Sequence, residues 1–336
     1  MPAQLHIAVD VMSGDRGPAV CVPAAIAVAR LHPEVRFTLV GREAELAREL
    51  GAASPPNISR LDAAEVVEMS DHPRDALRRK KNSSMRRAVD LVHARDADAC
   101  VSAGNTGALM ATAHFVLKML PGVERPAIAS WIPSRGGHTF MLDLGANATA
   151  TPQQLCQFAV MGSVLAADRE PGAAAARVGL LNIGEEDIKG NDTVQAAHAL
   201  IGASGLNYIG FVEGHDIFGD TVDVVVTDGF TGNVALKTME GAARLIAGAM
   251  REEFTRSTLR KAGALLAAPA LKALRARLDP RRYNGASMVG LNGVVIKSHG
   301  SADALAFQRA IEVAILEARN GVPARIAERL GSPPKT

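Results

Sequence analysis

The stretch Ala99-Cys100-Val101-Ser102-Ala103-Gly104-Asn105-Thr106-Gly107-Ala108 decides the fold class of this chain. Ala99 to Val101 is an apolar run of strand length that stops at Ser102. Two glycines then bracket Asn105 and Thr106, residue types that cap helices. Beyond them Leu109, Met110, Ala113, Val116 and Leu117 follow an i, i+1, i+4, i+7, i+8 spacing, which predicts a helix over 106–118 with one apolar stripe. Strand, glycine turn and amphipathic helix are the units of a parallel sheet covered by helices. In such sheets the loops at the carboxyl ends of strands point N–H groups at ligands, and the helix dipole favours negative charge there. Gly104, Asn105, Thr106 and Gly107 are therefore candidates for holding a phosphate-sized anion. A tight turn capped by Asn or Thr accounts for the same residues without any ligand, so both readings stand on this loop alone.

The pattern continues along the 336 residues. Strand-like runs fall near 5–9, 35–40, 98–102, 127–132, 138–143, 177–183, 206–212, 222–227 and 293–297. Helices are expected after Pro18 and near 42–50, 84–95, 106–118, 152–167, 191–202, 231–253 and 301–318. The expectation is one α/β catalytic domain over 1–330, or two lobes sharing a sheet, with a tail at 331–336. Pro55-Pro56 reads as a loop and Pro333-Pro334 as a frayed tail. The loop chemistry recurs. Asp10, Gly14 and Asp15 follow the first strand, Asp143 and Asn147 another, Gly184 a third, and Asp228, Gly229 and Asn233 a fourth. Gathered on one rim, such loops favour a shared cleft over isolated turns.

Composition narrows the class. Lysine plus arginine, 37, nearly balance aspartate plus glutamate, 35, so global charge gives no sign of nucleic-acid binding. Three separated cysteines with no C-x-x-C pair argue against a disulfide framework or a structural zinc and fit a reducing cytoplasm. Nowhere do 18 apolar residues run together, and no signal-type segment opens the chain. Asp10, Asp143 and Asp228 each end a strand beside glycine, but no His or Cys reinforces them, so no metal is expected. Cys100 reads as a buried strand cysteine, since nothing adjacent would lower its pKa.

Cations lie near the polar loops in sequence. Lys189, Lys237 and Lys297, with His299, are suited to neutralising phosphate or a developing oxyanion, although lone surface lysines are commonly only solvated. His6, His32, His93, His114 and His198 fall within expected strands or helices and read as packing or surface residues. Two basic segments stand apart. Arg74, Arg78, Arg79, Lys80, Lys81, Arg86 and Arg87 flank Asn82-Ser83-Ser84 and read either as a solvated helix end or as a docking patch for an acidic partner or phosphopantetheine-type group. From Arg256 to Arg282, eight basic residues accompany one acid, and leucines on either side of Pro269 predict two short amphipathic helices broken there. This inserted hairpin, 256–282, either packs on the body or projects to meet a membrane, a partner or a second copy.

With these residues in view, the chain resembles the bacterial phosphate acyltransferases of phospholipid synthesis, the PlsX family. The likeness rests on DVMSGD at 10–15, RRKKNSSM at 78–85, SAGNTGALM at 102–110, LDLGAN at 142–147 and LLNIGEEDIKGND at 180–192. It continues through EGHDIFGDTVDVVVTDGFTGNVALKTMEG at 213–241 and LNGVVIKSHGSAD at 291–303. Val11 and Ser13 depart from the Ala and Gly usual in the family's first motif. The resemblance implies a doubly wound, mostly parallel sheet of the isocitrate/isopropylmalate dehydrogenase type and transfer of an acyl group from acyl carrier protein to inorganic phosphate. It implies no cofactor, a homodimer, and peripheral association with the inner membrane surface, where a glycerol-phosphate acyltransferase receives the product. On that basis Gly104, Asn105, Thr106 and Gly107 are expected to bind phosphate or oxyanion, together with Asp10, Gly14, Asp15, Gly184 and Gly229. Lys189, Lys237 and Lys297 would neutralise charge; Asp143, Asp228, Asn147 and Asn233 would orient them; His299 would transfer a proton to the leaving thiol. Arg78, Arg79, Lys80 and Lys81, or Arg256, Arg260, Leu265 and Leu271, would meet the carrier protein or the membrane.

Overall fold

The computed structural model describes residues 4–51, 54–169 and 174–331; the tail reading at Pro333-Pro334 lies outside them. The chain runs β1 (His6–Asp10), α1 (Pro18–Leu31), β2 (Arg36–Gly41), α2 (Glu43–Leu50), β3 (Ile58–Asp62), α3 (Pro73–Arg79) and α4 (Ser84–His93). There follow β4 (Ala99–Ser102), α5 (Thr106–Leu117), β5 (Ala127–Ser134), β6 (Gly137–Leu142), α6 (Pro152–Arg169), β7 (Val178–Leu181), α7 (Asp192–Gly202) and β8 (Tyr208–Val212). The last third comprises β9 (Val224–Val226), α8 (Gly229–Thr255), α9 (Thr258–Arg277), β10 (Ala286–Val289), β11 (Val294–Lys297), α10 (Ala304–Arg319) and α11 (Val322–Gly331). All eleven strands join one sheet in the order β3-β2-β1-β4-β11-β10-β5-β6-β9-β7-β8.

The sheet is parallel except where β10 meets β11 and β5, and where β5 meets β6. Strand alternation sends successive residues to opposite faces, and helices cover both. Ile7, Val9, Val101 and Ile296 meet Phe307 and Ile311 of α10 on one face, while Ala8, Cys100 and Val295 meet Val89 of α4 and Leu109 of α5 on the other. Beyond β5 one core continues through Met141 and Val225, and a separate one packs Phe140, Leu142 and Val224 under Phe158 of α6 and Ile201 of α7.

The three antiparallel pairings are consecutive, an odd number of reversals. The strands β6, β9, β7 and β8 therefore run opposite to β1, β4 and β11, and their carboxyl ends leave the sheet at its opposite edge. The expected single rim of polar loops is thus corrected to two loop groups.

A second correction concerns the hairpin. Pro269 does not break it: α9 is continuous from Thr258 to Arg277, and the turn falls at Arg256-Ser257. Ser257 caps α9 by accepting from the Arg260 N–H at 3.2 Å. No residue of α9 is buried, so the carbonyl that Pro269 leaves unbonded is within reach of water. The hairpin accordingly consists of α9 and the distal half of α8, whose proximal turns pack Ala235, Leu236 and Met239 on the shared core.

Candidate active site

The first loop group is built on three parallel neighbours. Register places Asp10 of β1 and Lys297 of β11 on either side of Ser102 of β4, all at the strands' carboxyl ends. Asp10 is buried; its Oδ2 accepts from the Ser102 hydroxyl at 2.6 Å, whereas Oδ1 has no hydrogen-bond partner among the described residues. Burial raises the Asp10 pKa, against the lowering effect of the Ser102 bond. The Gly104 N–H donates to Ser102 Oγ at 3.1 Å, so one hydroxyl ties the carboxylate to the glycine loop.

Ser13 makes a second tie. Its hydroxyl donates to the Asp10 carbonyl at 2.8 Å and accepts from the Ala103 N–H at 2.8 Å. The extra side chain thus clips loop 10–15 to loop 102–108. Gly14 cannot vary in the same way, because φ is +84° and a Cβ would stand 3.0 Å from both Ala103 Cβ and the Gly300 carbonyl oxygen.

Asn105 caps α5, accepting from the Ala108 N–H at 2.9 Å, while its Nδ2 donates to the carbonyls of Met69 at 2.7 Å and Asp71 at 3.3 Å. Its amide is therefore committed to holding the loop and the 69–71 segment. Thr106 and Gly107, the first two helical residues, are exposed, and helix geometry leaves their N–H groups without an intrahelical acceptor. These two donors and the Thr106 hydroxyl are what the loop offers an anion.

Lys297 supplies the charge. It is buried, and its Nζ donates to the carbonyls of Ser298 and, at 3.4 Å, Ala103. Burial pulls its pKa down to about 8, outweighing the attraction of Asp10 and Asp15. His299 follows at the turn. Its pKa is lowered by burial and by Lys297 and Lys237, so the imidazole is neutral at neutral pH. Lys237, an exposed residue of α8 paired with Glu240 at 3.0 Å, reaches this group by electrostatics with His299. Asn284 holds the turn, accepting from the His299 N–H at 2.9 Å and donating to Ser298 Oγ at 2.8 Å. Sequence alone does not single out Ser13, Ser102 or Asn284; Ser13 and Ser102 stand inside the motifs, but only pairing across strands reveals their partners.

The second group lies at the ends of β6, β9 and β7. Asp143 is fully buried, and its carboxylate accepts from the N–H groups of Ile128, Gly145, Ala146 and Asn147 and from Asn147 Nδ2, all within 2.8–3.1 Å. Asn147 also donates to the Pro126 carbonyl at 2.7 Å. Asp228 caps α8 through Thr231. Asn233 lies beside Gly145, and Gly229 packs on the Asn147 carbonyl. The Lys189 side chain is exposed, on a turn made tight by Gly184. Asp143 and Asn147 therefore build the loop after β6, while the Lys189 side chain, on the loop after β7, has no ion pair among the described residues.

Other candidates are spoken for. Lys80 pairs with Asp71 at 2.5 Å and donates to Val66, and Arg256 and Arg260 both meet Glu253. Leu265 is exposed and Leu271 half-buried. Burial and Asp10 push the Cys100 thiol far up, which keeps it protonated and unreactive. Among the described residues no three His, Cys, Asp or Glu side chains gather as a metal would require.

The family profile described as "Fatty acid synthesis protein" matches residues 5–325. A phosphate acyltransferase of Alkalilimnicola ehrlichii is 54% identical over 335 residues, 99% of this chain and 98% of that protein. This chain belongs to the phosphate acyltransferase family. The phosphate acyltransferase of Methylococcus capsulatus is likewise 54% identical, over 96% of each chain. Among solved structures, a Streptococcus pyogenes phosphotransacetylase superposes with a TM-score of 0.64 at 15% identity over 95% of both chains, a likeness of fold. The EutD phosphotransacetylase of Staphylococcus aureus gives 0.62 at 17% identity over 94% of both. The acyltransferase reading of the sequence thus holds, on an α/β fold with a large, mostly parallel sheet and flanking helices.

Proposed function

We propose that this phosphate acyltransferase moves a fatty acyl group from acyl carrier protein to inorganic phosphate at the first loop group. The near full-length match to phosphate acyltransferases carries the reaction; the buried Lys297, bonded to the Ala103 carbonyl on the loop that leads to α5, supports its location. Phosphate binds the N–H groups of Thr106 and Gly107 and the Lys297 ammonium, with Gly104 and Gly14 allowing close approach. A phosphate oxygen attacks the thioester carbonyl carbon, the carbonyl oxygen becomes an oxyanion, and collapse breaks the C–S bond. Neutral His299 takes the proton of the attacking hydrogen phosphate and returns it to the thiolate, so the products are acyl phosphate and carrier thiol. Asp10 and Asp15 hold Lys297 in its charged form, and Lys237 adds positive potential. Lys189 and Gly184 after β7, with Asp228, Gly229 and Asn233 after its paired neighbour β9, are assigned to substrate contact at the second group.

The finer features belong to the same proposal: a doubly wound dehydrogenase-type arrangement, a single catalytic domain over 1–330, a homodimer, and no cofactor. Among the described residues no helix is long and apolar enough to cross a membrane. Leu259, Leu265 and Leu266 are exposed on α9 among arginines and lysines, which supports peripheral attachment to an anionic inner membrane surface, where a glycerol-phosphate acyltransferase takes the product.

The test is incubation with phosphate and either palmitoyl carrier protein or palmitoyl coenzyme A. The carrier thioester should release thiol and yield hydroxylamine-trappable acyl phosphate. Turnover of the coenzyme A thioester alone would replace the carrier with coenzyme A.

A further inference from the structure

Helix α3 carries an arginine face that the reaction itself does not use. His72, Arg74, Asp75, Arg78 and Arg79 border open space along this one helix and its cap. Arg79 pairs with Asp75 at 3.5 Å, whereas Arg74 and Arg78 have no acidic partner among the described residues. Two guanidinium groups one helical turn apart, neither paired with a carboxylate among the described residues, offer several N–H donors suited to a phosphate group.

The position of this face is fixed by the anion loop. Asn105 holds the Met69 and Asp71 carbonyls, Gly107 packs so closely on Pro73 that a Cβ would lie 2.9 Å from its ring, and α3 packs along α5. Lys80 ties the other end of α3 to Asp71 and Val66. The arginine face is therefore fixed to the loop that starts α5 through the 69–73 segment, which lies against that loop.

We propose that Arg74 and Arg78 bind the phosphodiester of the carrier protein's phosphopantetheine arm. This rests on the reading above, in which the thioester reacts beside Thr106. The arm has an anionic phosphodiester at one end and the thioester at the other. The arginine face is fixed to the helix that begins at the reaction loop, and charge complementarity favours the anionic phosphodiester over the neutral remainder of the arm.

The test is direct binding of 4′-phosphopantetheine and of pantetheine to the full-length protein, and of both to Arg74→Ala/Arg78→Ala, followed by KM for palmitoyl carrier protein, palmitoyl phosphopantetheine and palmitoyl pantetheine. The protein should bind phosphopantetheine at least about tenfold more tightly than pantetheine, and the variant should lose that difference. KM for the two phosphate-bearing thioesters should rise by a similar factor, with palmitoyl pantetheine unaffected. Equal binding of the two arms by the unaltered protein overturns the proposal. So does a KM increase confined to the whole carrier protein, which would assign the arginines to its acidic surface, or a variant whose main loss is binding to phosphatidylglycerol vesicles. Because arm binding is read without turnover, a failed acyl transfer assay leaves this result standing on its own.

Discussion

The Ser102 hydroxyl donates to Asp10 Oδ2 at 2.6 Å while accepting from the Gly104 N–H at 3.1 Å, so a single side chain joins the buried carboxylate to the loop that opens α5. Ser102→Ala removes both bonds and takes the 2.6 Å donor from the buried Asp10 carboxylate. Such a loss in a buried network costs about 1–3 kcal/mol. Urea unfolding should register that cost, and the phosphate KM should rise more than the carrier thioester KM, because the loop rather than the thioester site is loosened. A stability loss with both KM values unchanged would confine Ser102 to packing.

Lys297 links charge to pH. Its folded pKa of about 8 lies below the ordinary 10.5, so between those values the unfolded chain binds the proton and the folded chain does not. Stability attributable to this residue therefore rises with pH from about 8 to above 10, and below 8 the buried ammonium is a fixed cost. Lys297→Met should be the more stable protein at pH 7, by a margin that shrinks as pH rises through that window. In the parent the phosphate KM should climb above pH 8 as the ammonium is lost, and in Lys297→Arg it should stay level there.

At Gly232, on the first turn of α8, a Cβ would stand 1.9 Å from the Asp143 carbonyl oxygen, a backbone atom that cannot rotate away. Gly232→Ala should destabilise the protein by about 3 kcal/mol or more, as overpacking against fixed atoms does. Thermal unfolding checks this against Gly241→Ala on the same helix, where nothing lies within 4 Å and helix propensity should add up to about 1 kcal/mol.

On the hairpin, Leu265 and Leu266 are 77% and 87% exposed, whereas Leu271 is half-buried. Leu265→Asp/Leu266→Asp should release the protein from anionic vesicles without a change in melting temperature. Leu271→Asp should lower the melting temperature. Vesicle binding unchanged by the double substitution would separate the hairpin from the membrane.

Much of this was legible in the sequence where the signal was local. The strand, glycine turn and stripe at 99–117 became β4 and α5, and Lys297 ended a strand as expected. What escaped was short or depended on tertiary context. Ile58–Asp62 forms an edge strand, half polar because one side meets solvent, and Ala286–Val289 has only four residues between two glycines. The basic composition of Pro73–Arg79 drew attention to charge and hid a helix. Pro269 implied a break because proline removes a hydrogen bond, but an exposed helix tolerates it. The separation of the loops into two groups depends on strand direction across β10, β5 and β6, and β10 left no periodic trace. Asn105 looked like a free anion donor; its partners at Met69 and Asp71 are more than thirty residues away in sequence.

The most direct measurement is reaction of palmitoyl carrier protein with isotopically labelled inorganic phosphate. One labelled acyl phosphate should form for each carrier thiol released, with release saturating in phosphate. Thiol released without label in the acyl product would make this a thioester hydrolase and contradict phosphate as the nucleophile.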